Sequence, residues 1–187
     1  MELTVFILAG GKSLRMRKDK GLMFGGVGRL KGMLEACGLH DVIVLCGSDD
    51  RSILFQGEVW PDPPALEGVH HLIEWACGQV ETSCLLLPCD AFLMEEEAIQ
   101  YLLSQSQDGG VPLDVDGRRQ PLFAHIPKGY EFPLRSSSVG HLLQPLPSIQ
   151  METFASAFTN FNSAEDLQDH QQKLLALHGE HVLLQSM

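Results

Sequence analysis

The sequence predicts an α/β fold: a mostly parallel central sheet with helices on both faces. Two observations carry that expectation. The apolar runs Leu3–Ala9, Val42–Cys46 and Cys84–Leu87 are nearly continuous, not alternating, as strands buried on both faces are. Segments with helical periodicity lie between them, so strand and helix patterns alternate along the chain. At 187 residues, with no internal repeat, low-complexity stretch or long linker, the chain suits one domain with a full core.

The elements follow in order. Leu3–Ala9 is the first strand, and its apolar run stops at Gly10. Arg29–Cys37 reads as a helix, with Gly38 placed to cap its end. Val42–Cys46 is a second buried strand and Glu58–Trp60 a short third one. Over Leu66–Cys77, residues Leu66, Val69, Ile73, Ala76 and Cys77 share one helix face. Cys84–Leu87 is a further strand closed by Pro88, and Glu95–Ser104 a further helix. The Gly-, Pro- and Ser-rich stretch 109–150 is expected to hold short strands at Val111–Val115 and Leu122–Ile126 and a small helix at Val139–Leu143. Phe158–Phe161 is expected to be the last strand. Ser163 then caps a C-terminal helix, with Asp166 as its capping-box partner. In such a sheet the ligand lies over the carboxyl ends of the strands, where Ala9-Gly10, Pro61-Asp62 and Pro88-Cys89-Asp90 all fall.

Charge is distributed unevenly. The formal net charge is -11, yet five of the thirteen Lys and Arg residues sit between Lys12 and Lys20. From Ser52 to Gly117 there is none, and that acidic stretch is open to a metal. An acidic chain that gathers its cations on one Gly-rich loop, directly after its first strand, is suited to hold a polyanion: glycine amides backed by Lys and Arg cradle phosphate. The acidic balance argues against nucleic acid as a partner. No stretch approaches the roughly 20 apolar residues that span a bilayer. The N-terminus carries Glu2 where a signal peptide has basic residues, so a cytoplasmic location is expected. The five cysteines form no C-x-x-C pair and read as reduced, mostly buried thiols. His70-His71 and His178-x-x-His181 lack matching cysteines and read as surface or helix-face residues, not zinc ligands.

Two familiar nucleotide motifs fail. Gly11-Lys12-Ser13 looks like the end of a Walker A loop, but the glycine that motif needs five residues earlier is Phe6. No G-x-G-x-x-G follows the first strand, and Gly26-Val27-Gly28 comes too late. What stands there is Leu8-Ala-Gly-Gly-Lys-Ser-Leu-Arg-Met-Arg-Lys-Asp-Lys20. These residues resemble the opening signature of the nucleotidyltransferases and, more closely, of the molybdenum cofactor guanylyltransferases. The resemblance continues through Val59-Trp-Pro-Asp62 with Leu66-Glu-Gly68, Leu85-Leu-Leu-Pro-Cys-Asp90, Arg118-Arg-Gln-Pro121 with Phe123-Ala124, and Phe158-Thr-Asn-Phe-Asn-Ser-Ala-Glu-Asp-Leu167.

The resemblance implies a Rossmann-like, three-layer α/β/α nucleotidyltransferase fold, with residues 1–108 binding nucleotide and 109–187 binding the acceptor. It implies transfer of GMP from GTP to molybdopterin, with Mg²⁺ and release of pyrophosphate, and transient contact with other proteins of cofactor biosynthesis or with molybdoenzymes. Leu8 and the amides of Ala9, Gly10 and Gly11 would hold the nucleotide. Arg15 would grip the triphosphate and the acceptor, and Lys20 would stand near the α-phosphate. Asp90, at a strand end, would bind Mg²⁺ as a catalytic and nucleotide-binding carboxylate; the lesser alternative, on spacing alone, is a helix-capping aspartate. Asp62 would accept hydrogen bonds from guanine, or else be a turn aspartate before Pro63. Asn160 and Asn162 would meet the pterin or the metal, although Asn162 alone reads as a turn residue before Ser163.

Some positions depart from the family pattern. Arg17 replaces a glycine, Leu45 stands where an asparagine is common near the base, and the loop after Asp62 is a short Pro-Pro-Ala. Gly25–Gly28 is loose where relatives often have a G-K-P segment. These departures leave open a cytidylyl or sugar-1-phosphate transferase, or a nucleotide-binding paralogue without catalysis. Asp90 itself reads as a surface carboxylate whose replacement leaves the fold intact.

Overall fold

The computed structural model describes residues 2–11, 19–180 and 182. Arg15, with Lys12 and Arg17, lies outside the described residues. Strand β1 (Leu3–Leu8) is the centre of the main sheet. It pairs in parallel with β2 (Val42–Gly47) on one side and, beyond helix α1 (Gly26–Ala36), β2 pairs in parallel with β3 (Glu58–Pro61). Helix α2 (Val69–Gly78) leads to β4 (Ser83–Pro88), which pairs in parallel with the other edge of β1.

Alternate residues of the strands divide between two cores. Val5, Ile7, Val42, Val44, Leu85 and Leu87 pack against α1 and helix α3 (Glu96–Gln105). Phe6, Ile43, Leu45 and Leu86 pack against α2. Both faces are therefore covered, which explains why the strand sequences read as unbroken apolar runs. The layered, mostly parallel α/β arrangement expected from the sequence is the one observed.

The region after α3 differs from the expectation in detail. Strand β5 (Val111–Pro112) leaves the main sheet and pairs in parallel with a later strand, so a second, two-stranded sheet stands beside the first. The expected strand Leu122–Ile126 is instead a 3-10 turn over Pro121–Phe123, where proline presets the first turn residue, followed by a two-residue strand β6 (His125–Ile126). Strand β6 runs antiparallel to β4 and closes the sheet in the order β3-β2-β1-β4-β6. Helix α4 (Val139–Leu142) sits in the expected place, and β7 (Ser148–Ile149) supplies the partner of β5.

The expected final strand Phe158–Phe161 does not form. Glu152–Phe158 winds into 3-10 turns, and the chain then runs on unpaired. Phe158 and Phe161 are fully buried because they fill separate cores, not because they pair in a sheet. The C-terminal helix is broken into α5 (Ala164–Asp169) and α6 (Gln171–His178). The capping box holds: Ser163 Oγ accepts from the Asp166 N–H, and the Asp166 carboxylate accepts from the Ser163 N–H at 2.7 Å. Burial alone would raise the Asp166 carboxyl, but the N–H groups of Asn162 and Ser163 outweigh it and lower its pKa.

A third core forms at the carboxyl end of the sheet. The Phe24 and Phe92 rings pack tilted at 4.7 Å and those of Phe92 and Phe161 at 5.2 Å, with Leu93, Leu167 and Leu174 around them. This cluster joins three distant segments: the turn after Lys20, the chain after Asp90, and the Asn160–Asn162 stretch. Among the described residues no helix is long and apolar enough to cross a membrane.

Candidate active site

The ends of β3, β2, β1 and β4 form a row, and on it stand Asp62, Gly47, Gly10 and Asp90 in that order. Strand spacing puts the two outer positions roughly 14 Å apart, the scale of a nucleotide laid from base to phosphates. The row is tightened at its middle. A methyl group on Gly10 would stand 2.8 Å from the Gly47 Cα and 2.9 Å from its nitrogen, so neither position has room for a side chain. Gly47 also has φ 84°, which favours glycine, and its carbonyl accepts the Asp62 N–H at 2.6 Å. A Cβ on Gly11 would meet nothing within 4 Å; this residue faces open space.

The amides at the end of β1 are not equivalent. The Ala9 N–H donates to the Leu45 carbonyl at 2.8 Å, and the Leu8 carbonyl accepts from Cys89 N–H at 3.1 Å. Among the described residues the N–H groups of Gly10 and Gly11 take no partner. Leu45 itself lies inside the strand with its side chain in the core, because β2 continues to Gly47. It is Gly47 that occupies the strand end beside Asp62.

At β4 the Lys20 ammonium donates to Asp90 Oδ2 at 2.7 Å and also to the Phe161 carbonyl. Their side chains are 14% and 8% exposed, so Asp90 is buried and not a surface carboxylate. Burial raises the Asp90 carboxyl pKa, with the Lys20 charge opposing that rise. Phe161 lies between Asn160 and Asn162, so one contact brings that segment, Lys20 and Asp90 together. Arg29 braces the chain beyond Asp90, donating to the carbonyls of Ala91 at 2.8 Å and Met94 at 3.0 Å. Burial lowers its pKa to about 10, with Glu95 acting in the other direction. Between Pro88 and Asp90, burial pushes the Cys89 thiol up to about 12, so it is neutral and no nucleophile.

Asp62 is half-buried, and among the described residues its buried Oδ1 has no hydrogen-bond partner. Burial raises its pKa, opposed by the Gly47 backbone N–H, which donates to the carboxylate. A buried carboxylate oxygen without a donor carries a desolvation penalty. After it, Pro63–Leu66 closes a tight turn through Leu66 N–H to the Pro63 carbonyl at 3.0 Å.

Among the described residues, no group of three or more His, Cys, Asp or Glu side chains is arranged to hold a metal ion. A hard divalent cation that arrives with a nucleotide needs only one or two carboxylates, since phosphate oxygens and waters complete its shell. Asp90 fits that requirement as a single protein ligand.

Sequence reasoning brought Leu8, Ala9, Gly10, Gly11, Lys20, Asp62, Asp90, Asn160 and Asn162 to this edge, and the structure gathers them there. It did not single out Gly47, Asp19 or Arg51. Gly47 carried a signal, a glycine directly after an apolar strand. Arg51 carried none, being one charge among the polar residues 48–52.

Glycine amides beside a lysine and a buried carboxylate, on the carboxyl edge of a parallel sheet, suit phosphate transfer from a nucleotide. That is the work of nucleotidyl-transferring α/β domains. The chain belongs to the MobA-like NTP transferase domain family, whose model matches residues 5–139. A protein of Pelotomaculum thermopropionicum named a probable molybdenum cofactor guanylyltransferase is 32% identical over 138 residues, which is 69% of this chain and 65% of that protein. The match thus spans just under two thirds of that relative. A protein of Methanothermobacter thermautotrophicus with the same name is 28% identical over 194 residues, 88% of this chain and 96% of that one. Among solved structures, a protein from Aquifex aeolicus VF5 superposes with a TM-score of 0.66 at 18% identity, covering 86% of this chain and 93% of that one. It supports the fold alone.

Proposed function

We propose that this chain transfers GMP from GTP to molybdopterin, releasing pyrophosphate, in a reaction that uses Mg²⁺. The observation that supports the base assignment is the Asp62 carboxylate at the far end of the strand-edge row, whose Oδ1 has no partner among the described residues. Guanine presents two adjacent donors, its N1–H and exocyclic amine, and a carboxylate offers two acceptors. Adenine presents an acceptor at N1, and that pairing is repulsive. The names of the two relatives agree with this reading.

In the reaction a phosphate oxygen of the pterin attacks the α-phosphorus. The bond between the α-phosphorus and its bridging oxygen to the β-phosphate breaks, and pyrophosphate leaves. The protein's part is positioning and charge neutralisation. Gly10 and Gly11 donate their amides to phosphate. Lys20, now held by Asp90, lies at the end of β4 where the α-phosphate would stand, and Arg15 would grip the triphosphate. Bound through Asp90, Mg²⁺ would supply the charge that offsets the leaving pyrophosphate. Asn160 and Asn162 would line the acceptor side, with residues 1–108 holding the nucleotide and 109–187 the acceptor.

The test is pyrophosphate release with Mg²⁺ and each of the four NTPs, with and without molybdopterin. Release with GTP and the pterin alone is the expected result. Equal or better turnover with CTP would refute the guanine assignment. A melting temperature raised by GTP with no pyrophosphate from any NTP would make the chain a binder and not an enzyme.

A further inference from the structure

Arg51 sits in a 3-10 segment (Asp49–Leu54) that follows β2, outside every motif that marks this family. Its side chain is only 20% exposed, and the guanidinium turns back over the strand ends instead of into solvent. Nε donates to the Cys46 carbonyl at 2.9 Å, and Nη2 donates to the Ala9 carbonyl at 2.9 Å. Nη1 donates to Asp19 Oδ2 at 2.5 Å while Nη2 also reaches Asp19 Oδ1 at 3.2 Å, a two-pronged pairing. The Phe55 ring lies 5.8 Å beneath the guanidinium carbon. One side chain thus ties the end of β1 beside Gly10, the end of β2 beside Gly47, and the residue directly before Lys20.

Asp19 passes the constraint on. Its Oδ1 accepts the Gly21 N–H at 2.9 Å and so starts the 3-10 turn (Lys20–Gly25) that carries Lys20. Lys20 then pairs with Asp90. Charges alternate along the carboxyl edge of the sheet, from Arg51 through Asp19 and Lys20 to Asp90. The hydrogen bond to Asp19 holds the Arg51 pKa above its ordinary value, with burial opposing it, so the fork stays charged.

We propose that Arg51 is a positioning residue, which fixes Asp19 and, through it, sets the Lys20 ammonium at the phosphate end of the site. Its importance in turnover rests on the nucleotidyl-transfer reading; its hold on Lys20 does not. Lysine at position 51 keeps the charge but lacks the planar fork, and cannot reach two carbonyls and two carboxylate oxygens together.

The experiment uses the full chain and the variants Arg51→Ala, Arg51→Lys, Asp19→Asn and the double variant Arg51→Ala/Asp19→Asn. The first readout is acylation of each lysine by acetic anhydride, followed by mass spectrometry. Lys20 is shielded in the wild type, and Lys128, whose side chain is 61% exposed, serves as the internal reference. Arg51→Ala and Asp19→Asn should each raise Lys20 labelling several-fold relative to Lys128, the double variant no further than the larger single, because both act along one chain of contacts. Unchanged Lys20 labelling in Arg51→Ala overturns the proposal whatever the protein's activity. The second readout is steady-state pyrophosphate release. Arg51→Ala should lower kcat/KM for GTP by roughly tenfold or more, with partial restoration by added guanidinium and by Arg51→Lys. A fall in melting temperature with wild-type kcat/KM and no guanidinium effect would reduce Arg51 to a structural brace and also overturn it. If the wild type itself releases no pyrophosphate, the transfer reading has failed while the labelling result still decides the role of Arg51.

Discussion

The contact between Gly10 and Gly47 separates two glycines that look alike in sequence. A methyl group at position 10 would stand 2.8 Å from the Gly47 Cα, backbone that cannot swing away. Ordinary carbon contacts lie at about 3.5–4.0 Å, so the ends of β1 and β2 would have to part by roughly 0.7 Å or more. That motion strains the Ala9–Leu45 hydrogen bond and the Asp62 N–H bond to Gly47. Overpacking of this kind costs about 1–3 kcal/mol. For a chain of this length each kcal/mol moves Tm by roughly 2–4 °C, so Gly10→Ala should lower Tm by roughly 2–12 °C. Gly11→Ala places its methyl in open space, and its stability should change by less than about 0.5 kcal/mol. Its penalty should fall instead on nucleotide binding, as a raised KM for GTP, since the methyl enters the volume where phosphate would lie. Scanning calorimetry and steady-state kinetics on the two variants check this. A Gly10→Ala protein that melts like the wild type, or a Gly11→Ala protein that loses as much stability, would refute the division of labour.

Other predictions follow from the charges. Asp90→Asn should reduce pyrophosphate release by roughly a hundredfold or more. Its Tm should fall as well, by roughly 6–20 °C, because the buried Lys20 ammonium loses its charged partner, which costs about 3–5 kcal/mol; differential scanning fluorimetry reads the shift. If Asp62 holds guanine as proposed, its raised pKa should make GTP affinity fall as pH drops, at a higher pH than for an ordinary carboxylate, because only the ionised form would accept both guanine donors. Asp62→Asn should flatten that profile in calorimetric titrations. His125 is fully buried: one ring nitrogen, Nδ1, lies 2.5 Å from the Ser106 carbonyl, and Nε2 has no partner among the described residues. Burial lowers its pKa from 6.5, the Ser106 carbonyl notwithstanding. The folded state therefore binds fewer protons than the unfolded one, so the contribution is present above pH 6.5 and is lost as pH falls through the depressed value. His125→Gln, which keeps a donor for Ser106 and cannot charge, should move the acid-unfolding midpoint to lower pH.

The central strands were readable because burial on both faces leaves no ambiguity of period. Phe6 and Ile7 point to opposite cores and are apolar for different neighbours. The reading failed where a residue is buried without regular pairing. Phe158 and Phe161 looked like a strand and instead plug two cores from an irregular segment. Strands β5, β6 and β7 have only two residues each, too short for any periodicity to register. For the site, residues on the glycine loop and at strand ends were legible from the order of the elements. Arg51 was not, because its function depends on where its side chain folds back, and a lone cation after a strand reads the same whether it meets water or three chain segments.

The Lys20 bond to the Phe161 carbonyl has a consequence for biosynthesis. A ribosome delivers β1 through β4 long before it delivers Phe161, and the sheet can assemble from what has already emerged. Lys20 would then have Asp90 as a partner but neither the Phe161 carbonyl nor the tilted packing of Phe161 on Phe92 behind it. The segment around Phe161 thus closes a site that Lys20 and Asp90 begin, and a polypeptide released before Phe161 would carry strands β1 to β4 without that closing contact.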